Sequence, residues 1–204
     1  MSHERPETIE GFAKTLYFDH TFEAPAAKLL PGEFYVTGSD MVLVTVLGSC
    51  VAACIRDPQT GVGGMNHFML PEGGNADEVA NASARYGTYA MEVLINTILK
   101  QGARRASLEA KVFGGGNVLE GLTVANVGPR NAAFVRAFLN TEGIPVRAQD
   151  LEDIYPRKVY FFPRTGRAMV RKLKSANDKG LIAREREYSR RLVTRPASGA
   201  VELF

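Results

Sequence analysis

The sequence predicts a single layered α/β sandwich domain with mixed and antiparallel strands. Short runs rich in Val and Ile, which are typical of buried strands, outnumber two segments of helical periodicity at residues 83–101 and 131–142. Because predicted strands both precede and follow these helices in the sequence, a layered domain is favoured over an all-parallel sheet. The length of 204 residues suits one substantial domain. Further strands are predicted at residues 33–36, 41–47, 108–113, 144–151, 157–162 and 167–173.

A hairpin gives the strongest strand signal in the chain. Residues 51–55 and 62–70 are apolar runs, and residues 57–61 between them contain the Pro and Gly that turns use. If the turn is centred on its middle residues, the second run returns antiparallel to the first and His67 falls opposite Ala52.

This register places His67 one diagonal step from Cys50, on the same face of the hairpin. A Cys and a His in such a position are a candidate nucleophile and base. Gly48-Ser49 predicts a strand break at which the Cys50 thiol is presented rather than buried, and a neighbouring imidazole can raise its thiolate fraction. From these residues alone, two structural core residues remain the alternative, and a slip of one residue would turn His67 to the other face.

The second cysteine, Cys54, lies in the middle of a strand and is expected to be a core residue. Four residues of extended chain, about 13 Å, separate it from Cys50, so two free thiols are expected rather than a disulfide. A zinc site of Cys50, Cys54 and His67 would lack a fourth ligand and a usual spacing, so no metal is expected. The Gly-rich residues 114–117 lack the ending of a phosphate loop and predict a close backbone approach instead.

Composition excludes several classes of protein. Apolar residues make up 45% and charged residues 23%, as in a globular protein. We expect no membrane insertion, because no apolar run approaches the ~20 residues of a spanning helix. The charged start lacks the apolar core of an export signal, so a cytoplasmic location is expected. A net charge of +3 is mild and does not imply a nucleic-acid partner.

The chain is expected to divide into three parts. Residues 1–31 have no clear period and predict an N-terminal extension that packs only in part. Residues 32–173 carry the predicted strands and helices of the domain. Residues 174–204 are rich in Arg and predict a basic C-terminal tail, with a helix near residues 181–192. A solvated segment is the first interpretation of this tail, and an electrostatic arm for an acidic partner is the alternative.

A series of short motifs runs through residues 36–173. They are Leu47-Gly48-Ser49-Cys50-Val51-Ala52, Asp57-Pro58, Gly63-Gly64-Met65-Asn66-His67-Phe68-Met69-Leu70-Pro71, Arg85-Tyr86-Gly87, Ala90-Met91-Glu92, Phe113-Gly114-Gly115-Gly116, Arg130-Asn131-Ala132, Ile144-Pro145-Val146 and Arg157-Lys158-Val159. Taken together they resemble the CheD family, the chemoreceptor glutamine deamidases of bacterial chemotaxis.

The resemblance implies a cysteine hydrolase in an α/β fold similar to that of deamidating bacterial toxins. Cys50 matches the family nucleophile, His67 the base and Thr45 the third member of a Cys-His-Thr arrangement. No metal or organic cofactor is implied. The implied substrates are glutamines on the cytoplasmic helices of methyl-accepting chemoreceptors, with receptor methyl esters and a CheC-type phosphatase partner in some relatives.

Two positions fit the resemblance less directly. Thr45 stands five residues before Cys50 and would face away from it in an unbroken strand, so its assignment needs the break at Gly48-Ser49. A plain β-branched strand residue is the alternative for Thr45. Many relatives have two glycines where this chain has Glu152-Asp153, which leaves the shape of that loop open.

The predicted function is therefore protein-glutamine deamidation by cysteine nucleophilic catalysis. The alternative is a non-catalytic chemotaxis binding module of the same fold, in which Cys50 and His67 are structural. A cysteine peptidase is a third interpretation, and it would need a cleft for an extended backbone.

Overall fold

A computed structural model describes residues 10–71, 76–118, 127–173 and 179–194 of the chain. Within these residues there are ten strands, three α-helices and one short 3₁₀ turn at Arg105–Ser107. The strands are β1 (Thr15–Asp19), β2 (Ala24–Lys28), β3 (Phe34–Thr37), β4 (Val42–Leu47), β5 (Val51–Arg56), β6 (Gly63–Asn66), β7 (Glu109–Gly114), β8 (Val146–Leu151), β9 (Arg157–Phe162) and β10 (Arg167–Lys172). The helices are α1 (Ala76–Lys100), α2 (Val127–Thr141) and α3 (Lys179–Thr194).

The strands form two five-stranded sheets that pack face to face. Sheet one has the order β1-β2-β4-β9-β10, and sheet two has the order β3-β6-β5-β7-β8. Each sheet contains one parallel pair, β2 with β4 and β7 with β8, among antiparallel neighbours. Helices α1 and α2 pack on sheet two. The prediction of a layered α/β domain with mixed strands is confirmed.

Alternation along the strands creates two large cores, and a smaller cluster of Ala26, Val42 and Val44 lies apart from them. Odd-numbered residues of β4 and even-numbered residues of β5 face each other between the sheets, whereas the odd-numbered residues of β5 face the helices. The core between the sheets contains Leu43, Leu47, Cys50, Ala52, Cys54, Met65, Phe113, Val159 and Phe161. The core between sheet two and the helices contains Val51, Ala53, Ile55, Met91, Leu94, Ile95, Ile98, Val112, Val135 and Leu139.

The predicted hairpin forms in the predicted register. Cys54 pairs with Met65, and an isolated bridge joins Val51 to Phe68, so the two pairs share the register that sets His67 opposite Ala52. Regular pairing stops at Asn66 in β6, one residue before His67.

Both predicted helices exist, and both begin earlier than predicted. Helix α1 begins at Ala76 because residues 76–82 contain no Gly or Pro that would interrupt a helix. Helix α2 begins at Val127 because Pro129 lies in the first turn, where proline needs no backbone donor. No described helix has both the length and the hydropathy needed to cross a membrane.

The two ends of the chain differ from the sequence-based expectation. Residues 10–31, part of the expected N-terminal extension, contribute β1 and β2 to sheet one. Ala26 and Ala27 are fully buried, because small side chains let β2 lie close against its neighbours. In the expected basic tail, residues 179–194 form α3, which is longer than the helix predicted at residues 181–192 and packs against the domain. Residues 1–9, 174–178 and 195–204 lie outside the described residues.

The loop at Glu152-Asp153 adopts a conformation that glycine favours. The φ angles of Glu152 and Asp153 are 68° and 70°, in the left-handed region. The fully buried Arg157 holds the loop by donating to the carbonyl oxygens of Glu152 and Tyr155 and to the Asp150 carboxylate, which lies 2.6 Å away. The loop therefore keeps a glycine-type backbone without glycine, through contacts that the sequence does not display.

Candidate active site

The site begins at the connection between β4 and β5, where the chain crosses from sheet one to sheet two. Each of the three carbonyl oxygens of Gly48-Ser49-Cys50 accepts a hydrogen bond from another part of the chain. The N–H of Gly116 donates to the oxygen of Gly48 at 2.8 Å, and the N–H of Gly115 donates to that of Cys50 at 2.7 Å. The side-chain amide of Asn131 donates to the Ser49 oxygen at 2.8 Å. These bonds fix the orientation of the three peptide groups.

Close approach requires glycine at residue 114. Its φ is 107°, and an added Cβ would lie 2.2 Å from the Cys50 carbonyl oxygen. The Gly-rich run therefore serves the close backbone approach that the sequence predicts, and it contacts the loop that carries Cys50.

The three N–H groups of this loop converge on the carboxylate of Glu185, a residue of α3. Gly48 and Cys50 donate to Oε1 at 2.7 and 3.3 Å. Ser49 donates to Oε2 through its N–H and its hydroxyl, each at 2.8 Å. Successive N–H groups pointing to one place form an anion-binding nest, and here the anion is a side chain of the protein itself. We call these three residues the amide pocket.

Thr45 and His67 meet across the space between the sheets. The Thr45 hydroxyl lies 2.7 Å from Nδ1 of His67 and donates its proton to the Leu29 carbonyl oxygen at 2.9 Å. Since a carbonyl can only accept, the hydroxyl proton is committed to Leu29, and His67 must donate from Nδ1. The other ring nitrogen, Nε2, then carries a lone pair. It is buried and has no hydrogen-bond partner among the described residues.

The backbone around His67 is fixed on both sides. Its N–H donates to the carbonyl oxygen of Glu33, and its own carbonyl oxygen accepts from Gly32. The next residue, Phe68, exchanges two backbone hydrogen bonds with Val51, each 3.0 Å long. His67 is therefore held on one side by Gly32 and Glu33, just before β3, and on the other by the start of β5, directly after the residue that carries the thiol.

Cys50, His67 and Glu185 form one buried cluster. The Cys50 sulfur, a ring nitrogen of His67 and a carboxylate oxygen of Glu185 all lie within 4.8 Å of one another. Burial raises the pKa of Cys50 well above its ordinary value, and the adjacent Glu185 charge and a hydrogen bond to it raise the pKa further. Burial lowers the pKa of His67 to about 4. In this arrangement both the thiol and the imidazole are uncharged near neutral pH.

The structure brings together the three predicted site residues, Cys50, His67 and Thr45. The position of Thr45 follows from the break at residues 48–50: the chain changes sheets there, so Thr45 in sheet one faces sheet two, where it meets His67 beside Cys50. Cys54 is a buried core residue with a free thiol, as predicted. The expectation of an exposed, readily ionised Cys50 is wrong for this structure. The side chain is fully buried, and Glu185 disfavours the thiolate.

Glu185 is the site residue that sequence reasoning missed. It lies in the segment expected to be a basic tail, yet only 4% of it is exposed. A signal was present in the sequence, because Leu181, Glu185, Tyr188 and Leu192 recur at helical spacing on one face. One acid in the middle of an otherwise apolar and aromatic stripe indicates a carboxylate with a buried partner.

The same cluster supplies three atoms of types that bind metals, but its surroundings are those of an anion site. Both carboxylate oxygens of Glu185 already accept hydrogen bonds. The N–H groups of the amide pocket turn the positive ends of their dipoles toward this point, which opposes a cation there. Cys54, considered with Cys50 and His67 as a zinc ligand, is not in the cluster.

Chemically, the arrangement combines a thiol, a proton acceptor and an anion pocket. The lone pair of Nε2 can receive the thiol proton, and the N–H groups of residues 48–50 can stabilise negative charge on an oxygen beside the sulfur. These are the parts required for acyl transfer through a thioester.

Comparison with known proteins identifies the family. A family model described as "CheD chemotactic sensory transduction" matches residues 69–172. A protein of Janthinobacterium sp. (strain Marseille), named "Probable chemoreceptor glutamine deamidase CheD", is 63% identical over 97% of this chain and 98% of its own length. Relatives of the same name from Herminiimonas arsenicoxydans and Methylobacillus flagellatus are 62% and 63% identical, over 97% and 96% of this chain and 98% and 97% of their own lengths.

Among solved structures, the hypothetical protein YfiH of Bacillus licheniformis matches at 15% identity, and the match covers 59% of this chain and 49% of the YfiH chain. Its TM-score of 0.35 is too low to support any inference. The relatives found by sequence do support an inference, because they match nearly the whole chain at more than 60% identity. The resemblance seen in the motifs is thereby confirmed, and the chain belongs to the CheD family.

Proposed function

We propose that this protein is a cysteine-dependent glutamine deamidase, which converts glutamine side chains of methyl-accepting chemoreceptors to glutamate. Relatives at 60% identity and above carry the name chemoreceptor glutamine deamidase. In the proposal Cys50 is the nucleophile and His67 the general base and acid, while Thr45 positions His67.

One observation carries this proposal: the hydrogen-bond chain from Leu29 through Thr45 to His67. It fixes the tautomer in which Nδ1 holds the proton and Nε2 accepts one. The ring that carries this acceptor lies in the same cluster as the Cys50 thiol. A histidine with only a structural role would be expected to have partners for both ring nitrogens, since a buried polar atom without a partner destabilises the fold.

The first half of the reaction forms a thioester. The Cys50 thiol transfers its proton to Nε2 of His67, and the sulfur attacks the carboxamide carbon of the substrate glutamine. His67 then gives this proton to the departing nitrogen, because an amide nitrogen leaves poorly without one, and ammonia is released. The N–H groups of the amide pocket stabilise the oxyanion of the tetrahedral intermediate.

The second half hydrolyses the thioester. His67 is neutral again and takes a proton from water, which attacks the thioester carbon. The carbon–sulfur bond breaks, the sulfur regains a proton and the product leaves as glutamate. The reaction requires water as the only co-substrate and needs no redox step.

The context of the proposal follows from its substrate. The glutamines lie on the cytoplasmic helices of receptors, so the enzyme acts in the cytoplasm, with a CheC-type phosphatase as a further partner. We propose residues 32–173 as the deamidase domain. The described parts of residues 1–31 and 174–204 complete it: β1 and β2 extend sheet one, Leu29 binds Thr45, and α3 brings Glu185.

Intact mass of a receptor cytoplasmic fragment from the same organism tests the proposal. We expect a gain of about 1 Da per modified site with the wild-type protein, as NH₂ is replaced by OH, and no gain with Cys50→Ser. Cys54→Ala is the matched control, because it removes the other buried thiol and should keep the activity. Equal gains with wild type and Cys50→Ser would exclude Cys50 as the nucleophile.

Two further arms separate the alternatives. A chelator should leave the rate unchanged, and loss of activity on chelation would instead indicate a metal at the cluster of Cys50, His67 and Glu185. Receptor fragments cleaved in the backbone would indicate a peptidase. If the wild-type protein binds the fragment without changing its mass, the non-catalytic binding module is the better description.

A further inference from the structure

Helix α3 uses one face to cover the candidate active site. Leu181 is 2% exposed, Glu185 is 4% exposed, and Tyr188 and Leu192 pack against the core between the sheets. The neighbours on the other face, including Glu187, are exposed. The helix therefore resembles a docked amphipathic ligand with a carboxylate at the centre of its buried stripe.

The burial of Glu185 needs a partner, because a carboxylate without one is strongly disfavoured in an apolar environment. Its partner is the amide pocket, which supplies four donors. No basic side chain is among those donors, so the carboxylate is bound by the groups that would stabilise an oxyanion in the reaction rather than by an ordinary salt bridge.

Glutamate is also the product of glutamine deamidation. Here a glutamate side chain, presented from a helix, lies in the donor pocket beside the candidate nucleophile. We propose that α3 is a tethered product analogue, that residue 185 occupies the place of the receptor side chain, and that a glutamine at residue 185 is a substrate for Cys50. This inference rests on the proposed deamidase function and extends it to the geometry of the substrate.

The two carboxylate oxygens have different partners, which explains why the occupant is a glutamate. Oε1 accepts from the N–H groups of Gly48 and Cys50, as a substrate carbonyl oxygen would. Oε2 accepts from the N–H and the hydroxyl of Ser49. An amide NH₂ at this place would point a donor at the Ser49 N–H, which is also a donor. The pocket thus binds the carboxylate better than the amide, as expected for an analogue that stays bound in the resting protein.

Contacts along α3 indicate that a receptor helix must displace it. The Tyr188 and Tyr86 hydroxyls are in contact, beside a pocket that His67 lines. An added Cβ at Gly32 would lie 2.7 Å from the Tyr188 hydroxyl, so the helix lies directly on the domain. With α3 in place Cys50 is fully buried and cannot meet a substrate.

The geometry also describes the substrate that fits. Around residue 185 the buried face carries Leu181 four residues before, Tyr188 three residues after and Leu192 seven residues after. The inferred ligand class is an amphipathic helix with a glutamine at the centre of its stripe and apolar or aromatic residues at these spacings.

The test places a substrate group on α3 through Glu185→Gln. Cys50 attacks the carboxamide of the introduced glutamine, ammonia leaves with the thiol proton relayed by His67, and water hydrolyses the thioester to glutamate. The purified variant should gain about 1 Da with time at residue 185, at a rate independent of protein concentration because the reaction is intramolecular. The double variant Cys50→Ser with Glu185→Gln should retain the introduced glutamine.

The outcomes separate this inference from the proposed function. If the introduced glutamine stays unconverted in a protein that deamidates the receptor fragment, the inference is overturned and the deamidase function stands. If the variant keeps its glutamine and the wild-type protein also leaves the mass of the receptor fragment unchanged, the proposed function fails and the inference fails with it. Conversion of the introduced glutamine in the Cys50→Ser background would also overturn the inference, since it would show spontaneous deamidation.

A second readout examines displacement in the full chain. Glu185→Ala removes the bound carboxylate, so alkylation of Cys50 by iodoacetamide and kcat/KM on the receptor fragment should both rise about tenfold or more, as the open state becomes populated. Glu187→Ala is the matched control, because this residue lies on the exposed face of α3 and pairs with Arg191 at 3.1 Å. Equal rates in wild type and Glu185→Ala would contradict a covering role.

Discussion

The Thr45 hydroxyl provides the sharpest test of how the candidate base is positioned. Thr45→Val keeps the shape of the side chain and removes one oxygen that makes two buried hydrogen bonds, to His67 at 2.7 Å and to Leu29 at 2.9 Å. Each buried group that loses its partner costs about 1–3 kcal/mol, so the free energy of unfolding should fall by about 2–6 kcal/mol. Urea denaturation measures this loss.

The same substitution should reduce turnover through the tautomer of His67. Without the hydroxyl, nothing commits the imidazole proton to Nδ1, and the ring loses a bond that orients it toward Cys50. We expect kcat to fall about 10- to 100-fold, which corresponds to about 1.4–2.7 kcal/mol of transition-state stabilisation. KM should change little, because the bonds of the buried Thr45 hydroxyl are to His67 and Leu29 and not to the amide pocket.

Thr45→Ser is the matched control, since it keeps the hydroxyl and loses only a methyl group. It should retain most of the wild-type kcat and the wild-type pH profile of kcat/KM, whereas the profile of Thr45→Val should shift. A Thr45→Val protein that is folded and keeps the wild-type kcat and pH profile would refute the positioning role. Equal losses in Thr45→Ser and Thr45→Val would assign the effect to packing of the methyl group instead.

Two further predictions concern the support of the same site. Because burial lowers the pKa of His67 from 6.5 to about 4, the unfolded chain binds the proton more readily. The free energy of unfolding should therefore fall by about 3 kcal/mol in all as the pH falls from about 6.5 to about 4. His67→Gln should flatten this part of the stability profile. An unchanged slope in that variant would contradict the prediction. Asn131→Leu leaves the Ser49 carbonyl and the Leu70 N–H without partners, so it should lower the free energy of unfolding by about 2–6 kcal/mol in chemical denaturation. It should also reduce kcat, because the amide pocket loses a support. Wild-type stability and turnover in Asn131→Leu would show that the loop at residues 48–50 is held without it.

Much of the fold could be read from local patterns. Alternation and turn chemistry predicted the hairpin and its register, because side chains alternate strictly along a strand and the turn fixes which residues pair. The same register predicted that His67 would approach Cys50. The motifs added Thr45, which periodicity alone would have placed on the wrong side of an unbroken strand.

The boundaries and ends of the chain were less predictable. Residues 10–31 lack a clear period, since β1 at the edge of sheet one carries exposed apolar residues such as Leu16, and β2 beside it carries small buried ones such as Ala26. The membership of β2 in sheet one depends on parallel pairing with β4, a contact between segments about sixteen residues apart that leaves little local signal.

The sequence by itself determined the family, the α/β class and the three candidate residues Thr45, Cys50 and His67, since motif order and strand alternation are local properties. Only the tertiary structure decided the state of the site. Glu185 is distant in sequence from the amide pocket, and its pairing with Gly48, Ser49 and Cys50 needs the docking of α3. Charge and burial at Cys50 depend on that contact, because a pKa reflects the whole surroundings of a group rather than its neighbours in the chain.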